Sequence, residues 1–179
     1  RTGEAAFQTT PSLSELSIGV IGLGHIGSRL AHLFQVAGVK EVVYWNRTKK
    51  NSGYRKFGVE EVLRQSDLVA VCVSSEAGVG FIDAEKLALL KDGALLTVLT
   101  DSALDEQALL PELEKGRIRA YLDWTPKNEA FLDLDLSTFY CSNASTAFNT
   151  HATNRLASDW VTESIINLLT TGEDPRKVN

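Results

Sequence analysis

The chain alternates short apolar runs with longer stretches in which apolar positions recur at helical spacing. The short runs are rich in β-branched and aromatic residues, as strands buried on both faces are. We predict strands at residues 16–22, 41–45, 68–73, 94–99, 119–124 and 137–142. The segments between them predict helices at residues 26–37, 59–65, 83–90, 106–115 and 149–170. Repeated alternation of strand and helix indicates a doubly wound parallel α/β sheet with helices on both faces.

Length and local composition suggest one main domain with two flanking segments. A chain of 179 residues fits a single domain of ordinary size. Residues 1–14 contain Pro11 and small polar side chains, so we interpret them as a connector or hinge. We assign residues 15–170 to the α/β domain and the polar residues 171–179 to a C-terminal tail. Because the chain lacks methionine and opens at Arg1, we expect it to be a fragment of a longer polypeptide.

Composition narrows the range of partners. The apolar fraction of 44% and the charged fraction of 23% are typical of soluble globular proteins. No apolar run approaches the ~20 residues that span a bilayer, so we expect no membrane partner. A net charge of −5 disfavours binding to nucleic acid, so we expect no nucleic-acid partner either. Cys72 and Cys141 fall in predicted strands, which favours reduced thiols over a disulfide. We therefore expect a cytoplasmic protein. The cysteines and histidines are too scattered to predict a metal site.

Three glycines separate the first predicted strand from the first helix. Gly22, Gly24 and Gly27 have the GxGxxG spacing, which allows a tight turn, close approach of the backbone to a pyrophosphate, and close packing of helix on strand. The N–H groups of His25 and Ile26 would then face phosphates at the positive end of the helix dipole. This context predicts a Rossmann-type dinucleotide-binding site. The alternative is a glycine turn kept only for packing.

The end of the second strand bears on the choice of cofactor. In an NAD site an acidic residue at this point binds the adenosine ribose, whereas here the sequence continues with Asn46, Arg47 and Thr48. Asn46 does not repel a 2′-phosphate, and Arg47 offers two parallel donors to one. The sequence therefore favours NADP over NAD. The alternative is a basic turn that faces only solvent.

Further cofactor contacts are expected at the carboxyl ends of the other strands, where open α/β sheets bind ligands. We predict that these contacts come from Val73, Ser74, Val98, Leu99, Thr100 and Asp123.

Several longer blocks, in this order, resemble the D-isomer-specific 2-hydroxyacid dehydrogenase family along nearly the whole chain. They read PSLSELSIGVIGLGHIG, VLRQSDLVAVCV, KLALLKDGALLTVL, ALDEQALLPELEKGRIRAYLDW and GEDPRKVN. The resemblance implies the NAD(P)-binding domain of an oxidoreductase that acts on a small 2-hydroxy or 2-keto acid. It also implies a homodimer formed through this domain, and a substrate-binding domain whose N-terminal part is absent from this chain.

The resemblance also implies an Arg, an acidic residue and a His as the catalytic set. The Arg position matches Thr100, the acidic position matches Asn128 with Glu129 beside it, and the His position matches Ala144. Neither Thr100 nor Ala144 can perform the family role, because carboxylate binding needs a guanidinium and proton transfer needs an acid or base. We leave the catalytic residues unknown, with Glu129 and His151 as the remaining candidates.

Three functions stay open from the sequence. The chain is part of an oxidoreductase with impaired or unusual chemistry, or a non-catalytic module that senses a dinucleotide or scaffolds a partner, or a domain that keeps the fold without binding a nucleotide.

Overall fold

A computed structural model describes residues 11–142 and 150–175 of the chain. Its centre is a parallel sheet of seven strands in the order β3-β2-β1-β4-β5-β6-β7. The strands are β1 Ser17–Ile21, β2 Glu41–Trp45, β3 Arg55–Lys56, β4 Leu68–Val71, β5 Leu95–Val98, β6 Arg119–Leu122 and β7 Phe139–Cys141. This sheet confirms the predicted Rossmann-type fold.

Helices follow most of the strands. They are α1 His25–Val36, α2 Val59–Gln65, α3 Ala84–Leu87, α4 Glu106–Glu114 and α5 His151–Thr171. Short 3-10 helices occupy Leu13–Glu15, Ser75–Ala77, Asp101–Ala103 and Glu129–Asp133. No helix within the described ranges is long and apolar enough to cross a membrane.

The chain divides into two compact units, Arg1–Asn143 and Ala144–Asn179. The described part of the first unit holds the whole sheet and α1 to α4. In the second unit, the Thr150 side chain accepts the N–H of Thr153 and so caps the start of α5. Gly172, in the left-handed region with a φ of 76°, ends the helix.

The strand order places a topological switch between β1 and β4. From β1 the chain builds outwards to β2 and β3, then crosses over to β4 and continues to β7. Ile21, the last residue of β1, pairs with Trp45 on one side and Val71 on the other. The carboxyl ends of these three strands therefore meet at one edge, which is where open α/β sheets form ligand sites.

Each face of the sheet packs against its own helices. Ile18 and Val20 point to the α1 side, while Ile21 belongs to the larger core formed with α2, α3 and α4. Gly19 lets α2 approach closely, because a Cβ there would lie 2.7 Å from Val62. Burying these side chains is the main source of stability for such a sheet.

Two features of the fold differ from the sequence prediction. The two residues of β3 are both exposed, so they carry no apolar pattern that could reveal a strand. The prediction of strands buried on both faces holds for β1 but is wrong for β5 to β7. Buried and partly exposed residues alternate in β5 and β6, and β7 has one buried residue of three. Tyr140, for example, is 58% exposed while its neighbour Phe139 is buried.

Candidate functional site

A large cleft lies at the carboxyl edge, over the switch between β1 and β4. Its volume is about 710 Å³, within the range of ~300–1,000 Å³ that is usual for cofactor and ligand pockets. Its lining comes from the glycine loop, the start of α1, the end of β2 and the loops after β4 and β5. The lining residues are Gly22, Gly24, His25, Ile26, Trp45, Asn46, Arg47, Thr48, Lys50, Cys72, Val73, Ser74 and Thr100.

The three glycines of the loop meet three different steric demands. Gly22 has a φ of 96°, and a Cβ on it would lie 2.8 Å from the backbone of Cys72. A Cβ on Gly27 would collide with the carbonyl oxygen of Gly22, so this glycine allows α1 to pack against the loop. Gly24 is different, because a Cβ there would meet no atom within 4 Å and would project into open space. Gly24 therefore leaves room for a ligand beside the backbone.

The first turn of α1 is suited to an anion. Gly24 is the N-cap residue and has no side chain to cap the helix, and the first turn carries no acidic side chain. The leading N–H groups of a helix lack partners within it and carry a partial positive charge, so phosphate binds well at such a terminus. His25 begins the helix and is exposed at the cleft. The glycine loop and α1 would thus hold the pyrophosphate of a dinucleotide.

Asn46 joins the glycine loop to the loop that follows β2. Its Oδ1 accepts the N–H of Leu23 at 3.1 Å. Its Nδ2 donates to the carbonyl and the hydroxyl oxygen of Thr48, at 3.0 Å and 3.4 Å. An aspartate at this position could accept the N–H of Leu23 but could not donate to the Thr48 carbonyl. The amide of Asn46 can therefore form both contacts, whereas a carboxylate could form only the first.

Positive charge is concentrated at the β2 end of the cleft. Arg47 and Lys50 line it there, and within the described ranges neither side chain has a carboxylate at ion-pair distance. At the opposite end the lining side chains include Ser74 and Thr100, which are neutral. This division suits a ligand with an extra anionic group on its adenosine half.

Three lining residues were missed by the sequence analysis. Trp45 and Cys72 were assigned to core strands, but β2 ends at Trp45 and β4 ends at Val71, so both residues lie at the carboxyl edge where the cleft opens. The Trp45 ring packs against Phe81 with centroids 5.2 Å apart. Burial raises the pKa of the Cys72 thiol to about 11, so this thiol stays protonated at neutral pH. The third is Lys50, which follows Arg47 and Thr48 in the same turn.

Some predicted cofactor residues do not line the cleft. Gly27 serves helix packing, and Val98 is fully buried in the core. Leu99 is partly buried, and its N–H donates to the carbonyl of Val71. Asp123 accepts a hydrogen bond from the Tyr121 hydroxyl at 3.3 Å. These four residues remain predictions as cofactor contacts.

The positions matched to the family's catalytic residues are occupied by groups with structural roles where the structure describes them. The Thr100 hydroxyl donates to the Val73 carbonyl at 2.6 Å. Asn128 caps a 3-10 helix by accepting the N–H of Ala130, and Glu129, the first residue of that helix, is exposed. Ala144 lies outside the described residues. His151 is the exposed first residue of α5, in the second unit.

The geometry agrees with a direct comparison to known families. The family described as D-isomer specific 2-hydroxyacid dehydrogenase, NAD binding domain, matches residues 2–146. The chain belongs to this family. Its resemblance to D-2-hydroxyacid dehydrogenases is therefore confirmed, and a nicotinamide dinucleotide is the cofactor class of this domain.

Individual relatives agree with this assignment. The chain is 32% identical over 110 residues to glyoxylate reductase 1 of Saccharomyces cerevisiae, covering 58% of this chain and 31% of the yeast protein. It is 31% identical over 165 residues to 2-ketogluconate reductase of Gluconobacter oxydans, covering 86% of this chain and 53% of that protein.

A solved reductase structure shares the fold. The NADPH-dependent glyoxylate/hydroxypyruvate reductase of Sinorhizobium meliloti, in complex with citrate, superimposes with a TM-score of 0.80 at 27% identity. The match covers 95% of this chain and 56% of that one. The chain spans between 31% and 53% of the length of the curated relatives it matches.

Proposed function

We propose that this chain is the coenzyme-binding domain of a D-2-hydroxyacid dehydrogenase-like oxidoreductase that prefers NADP(H) and is impaired in the usual hydride transfer between 2-hydroxy and 2-keto acids. One observation carries the proposal. The cleft presents Arg47 and Lys50 beside the neutral Asn46, at the point where an NAD site has a carboxylate.

The charge at the end of β2 supports the preference for NADP(H). A carboxylate at position 46 would repel a 2′-phosphate, whereas the amide of Asn46 carries no charge. The Arg47 guanidinium is planar and permanently charged, which suits a phosphate better than it suits a ribose hydroxyl. The Sinorhizobium meliloti reductase of similar structure is NADPH-dependent, which is consistent with the same choice here.

The replaced catalytic positions support impaired chemistry. A hydroxyl at Thr100 cannot bind a substrate carboxylate as a guanidinium does, and it already donates to the Val73 carbonyl. The methyl group of Ala144 has no proton to transfer. A small 2-hydroxy or 2-keto acid remains the proposed substrate class, as the names of the relatives suggest.

The same replacements favour a second candidate function. A protein that keeps the dinucleotide cleft but has lost the catalytic Arg and His could sense the cofactor or scaffold a partner without turnover.

We also propose a cytoplasmic homodimer. Its support is the family resemblance, the two free cysteines, and the exposed apolar side chains of Ile26, Leu33 and Val36 on α1.

Calorimetric titration with NADPH, NADP, NADH and NAD tests the cofactor proposal. We expect the 2′-phosphorylated forms to bind about ten- to a hundredfold more tightly, as charge-assisted hydrogen bonds to one phosphate would give. Gly24→Val should abolish binding, because the new side chain enters the cleft. Gly58→Val is the matched control, since Gly58 is also a helix N-cap with negative φ and open space around its Cβ. Equal affinity for the four nucleotides would refute the NADP(H) preference.

A further inference from the structure

The loop between β2 and β3 folds back onto a buried hydroxyl group. The Tyr44 side chain is only 1% exposed, and its hydroxyl donates to the Lys50 carbonyl at 3.3 Å. The same hydroxyl accepts the N–H of Lys50 at 3.2 Å. One side chain in β2 therefore satisfies both main-chain polar groups of a residue six positions further along. A buried hydroxyl without such partners is costly, so these contacts hold the loop in place.

Other contacts fix the rest of the same loop. The Asn46 side chain joins Leu23 to Thr48. The Lys56 ammonium donates to the Arg47 carbonyl at 3.5 Å. The backbone is thus held at both ends of the segment 46–50, while the Arg47 and Lys50 side chains line the cleft.

Two other cations near this loop, Arg55 and Lys56, have partners outside the cleft. Arg55 forms an ion pair with Glu41 at 3.4 Å and lies over the Phe57 ring, 4.8 Å from its centroid. Lys56 donates to a main-chain oxygen within the loop. Arg47 and Lys50 are therefore the cationic side chains of this region that line the cleft.

We propose that Tyr44 is a positioning residue for the 2′-phosphate of NADP(H). Tyr44 holds the Lys50 backbone so that the Lys50 ammonium, with Arg47, meets the phosphate without rearrangement of the loop. The inference rests on the proposed NADP(H) preference and extends it to a residue that does not line the cleft. A loop already held in its binding conformation loses less conformational entropy when the ligand arrives, which strengthens binding.

The test replaces the hydroxyl and retains the ring. We expect Tyr44→Phe to lower the preference for NADPH over NADH about three- to tenfold, with NADH affinity nearly unchanged. Tyr54→Phe is the matched control, because the Tyr54 hydroxyl donates to Gln35 at 3.2 Å and its ring packs against the same core cluster. A merely structural role would lower stability in both variants and leave the preference intact in both.

A double-mutant cycle shows whether Tyr44 acts through Lys50. Lys50→Met removes the ammonium group, so Tyr44→Phe should then have little further effect on the NADPH preference. Fully additive losses would overturn the inference. A parent chain that shows no NADPH preference overturns both the proposed cofactor choice and this inference. A parent that prefers NADPH, with Tyr44→Phe unchanged, overturns the inference alone.

Amide hydrogen exchange gives a measurement that needs no variant. In the parent chain without cofactor, we expect the Lys50 N–H to exchange at least about tenfold more slowly than the Lys49 N–H, because Tyr44 accepts the Lys50 proton. Equal exchange rates at the two residues would show that the loop is not held by Tyr44.

Discussion

At the scale of single residues, Arg47 is the side chain on which cofactor choice depends most directly. We predict that Arg47→Ala weakens NADPH binding about ten- to a hundredfold and leaves NADH affinity within about a factor of two. The reason is that the guanidinium can form charge-assisted hydrogen bonds only where a 2′-phosphate is present. Parallel calorimetric titrations with the two reduced cofactors measure the change.

Lys49→Ala is the control for overall charge. It removes the same charge from the same loop, but Lys49 does not line the cleft. We expect a loss of NADPH affinity of about twofold or less, and less still at high salt, because exposed charges are screened. Similar losses of NADPH affinity in the two variants would mean that the loop attracts the phosphate only through its total positive charge, and not through a specific contact with Arg47.

Asn46 shows how far the sequence reaches at this scale. Its distance from the glycine loop correctly placed it at the end of the second strand and beside the cleft. Its contacts to Leu23 and Thr48 could not be predicted, because they depend on how two loops distant in sequence meet. The sequence thus locates the residue, while its positioning role needs the structure.

At the scale of elements, the carboxylate of Asp67 joins the start of β1 to the turn before β5. It accepts the Ser17 N–H at 2.8 Å and the Lys91 ammonium at 2.7 Å. Burial raises the pKa of Asp67, but the bonds from Lys91 and Ser17 outweigh burial and hold the pKa below its ordinary value of 3.8. The folded state therefore gains stability from this carboxylate above that pH, and loses it as the pH falls through the lowered pKa.

We predict that Asp67→Asn lowers the free energy of unfolding by about 1–2 kcal/mol at neutral pH, since the group is partly exposed and solvent screens the ion pair. The difference from the parent should shrink as the pH falls below about 3.8. Urea unfolding at a series of pH values measures it. Asp92→Asn, at a carboxylate whose side chain is 89% exposed, should change stability by less than about 0.5 kcal/mol. A pH-independent effect of Asp67→Asn would contradict the prediction.

The elements themselves were largely predictable because apolar periodicity marks buried segments. The helix predicted at residues 59–65 is α2 with the same bounds, and the strand at 41–45 is β2. The two exposed residues of β3 gave no such signal, since backbone pairing with β2 defines that strand. The half-exposed faces of β5 to β7 were also missed, because composition does not show which strand face a helix covers.

At the scale of the whole molecule, the open question is turnover. We predict that the longest natural protein containing this chain shows no hydride transfer with glyoxylate, pyruvate or hydroxypyruvate and either reduced cofactor. Loss of a positioned acid or base costs about 10²- to 10⁴-fold in rate. Thr100 stands where the family has an Arg, so the guanidinium that would bind the substrate carboxylate is missing as well. The absorbance of the reduced nicotinamide reports the reaction.

Restoring the family residues provides the positive control. Thr100→Arg and Ala144→His introduced together should produce turnover, while either substitution alone should restore much less, because groups that act as a unit are not additive. Robust turnover in the unmodified protein would show that another residue supplies the proton. It would also exclude the non-catalytic sensing or scaffolding role.

The short edge strand β3 has a consequence for how cofactor choice can evolve. The loop that carries Arg47 and Lys50 ends at a strand of two residues that, among the described residues, pairs with β2 alone. Substitutions of side chains in that loop leave the main-chain bonds between Tyr44 and Lys50 in place, so they can occur without shifting the register of the other six strands. Selection can therefore change the adenosine end of the cleft by substituting exposed side chains such as Arg47, at little cost to folding, while Tyr44 holds the loop backbone and the glycine loop stays fixed by its steric demands.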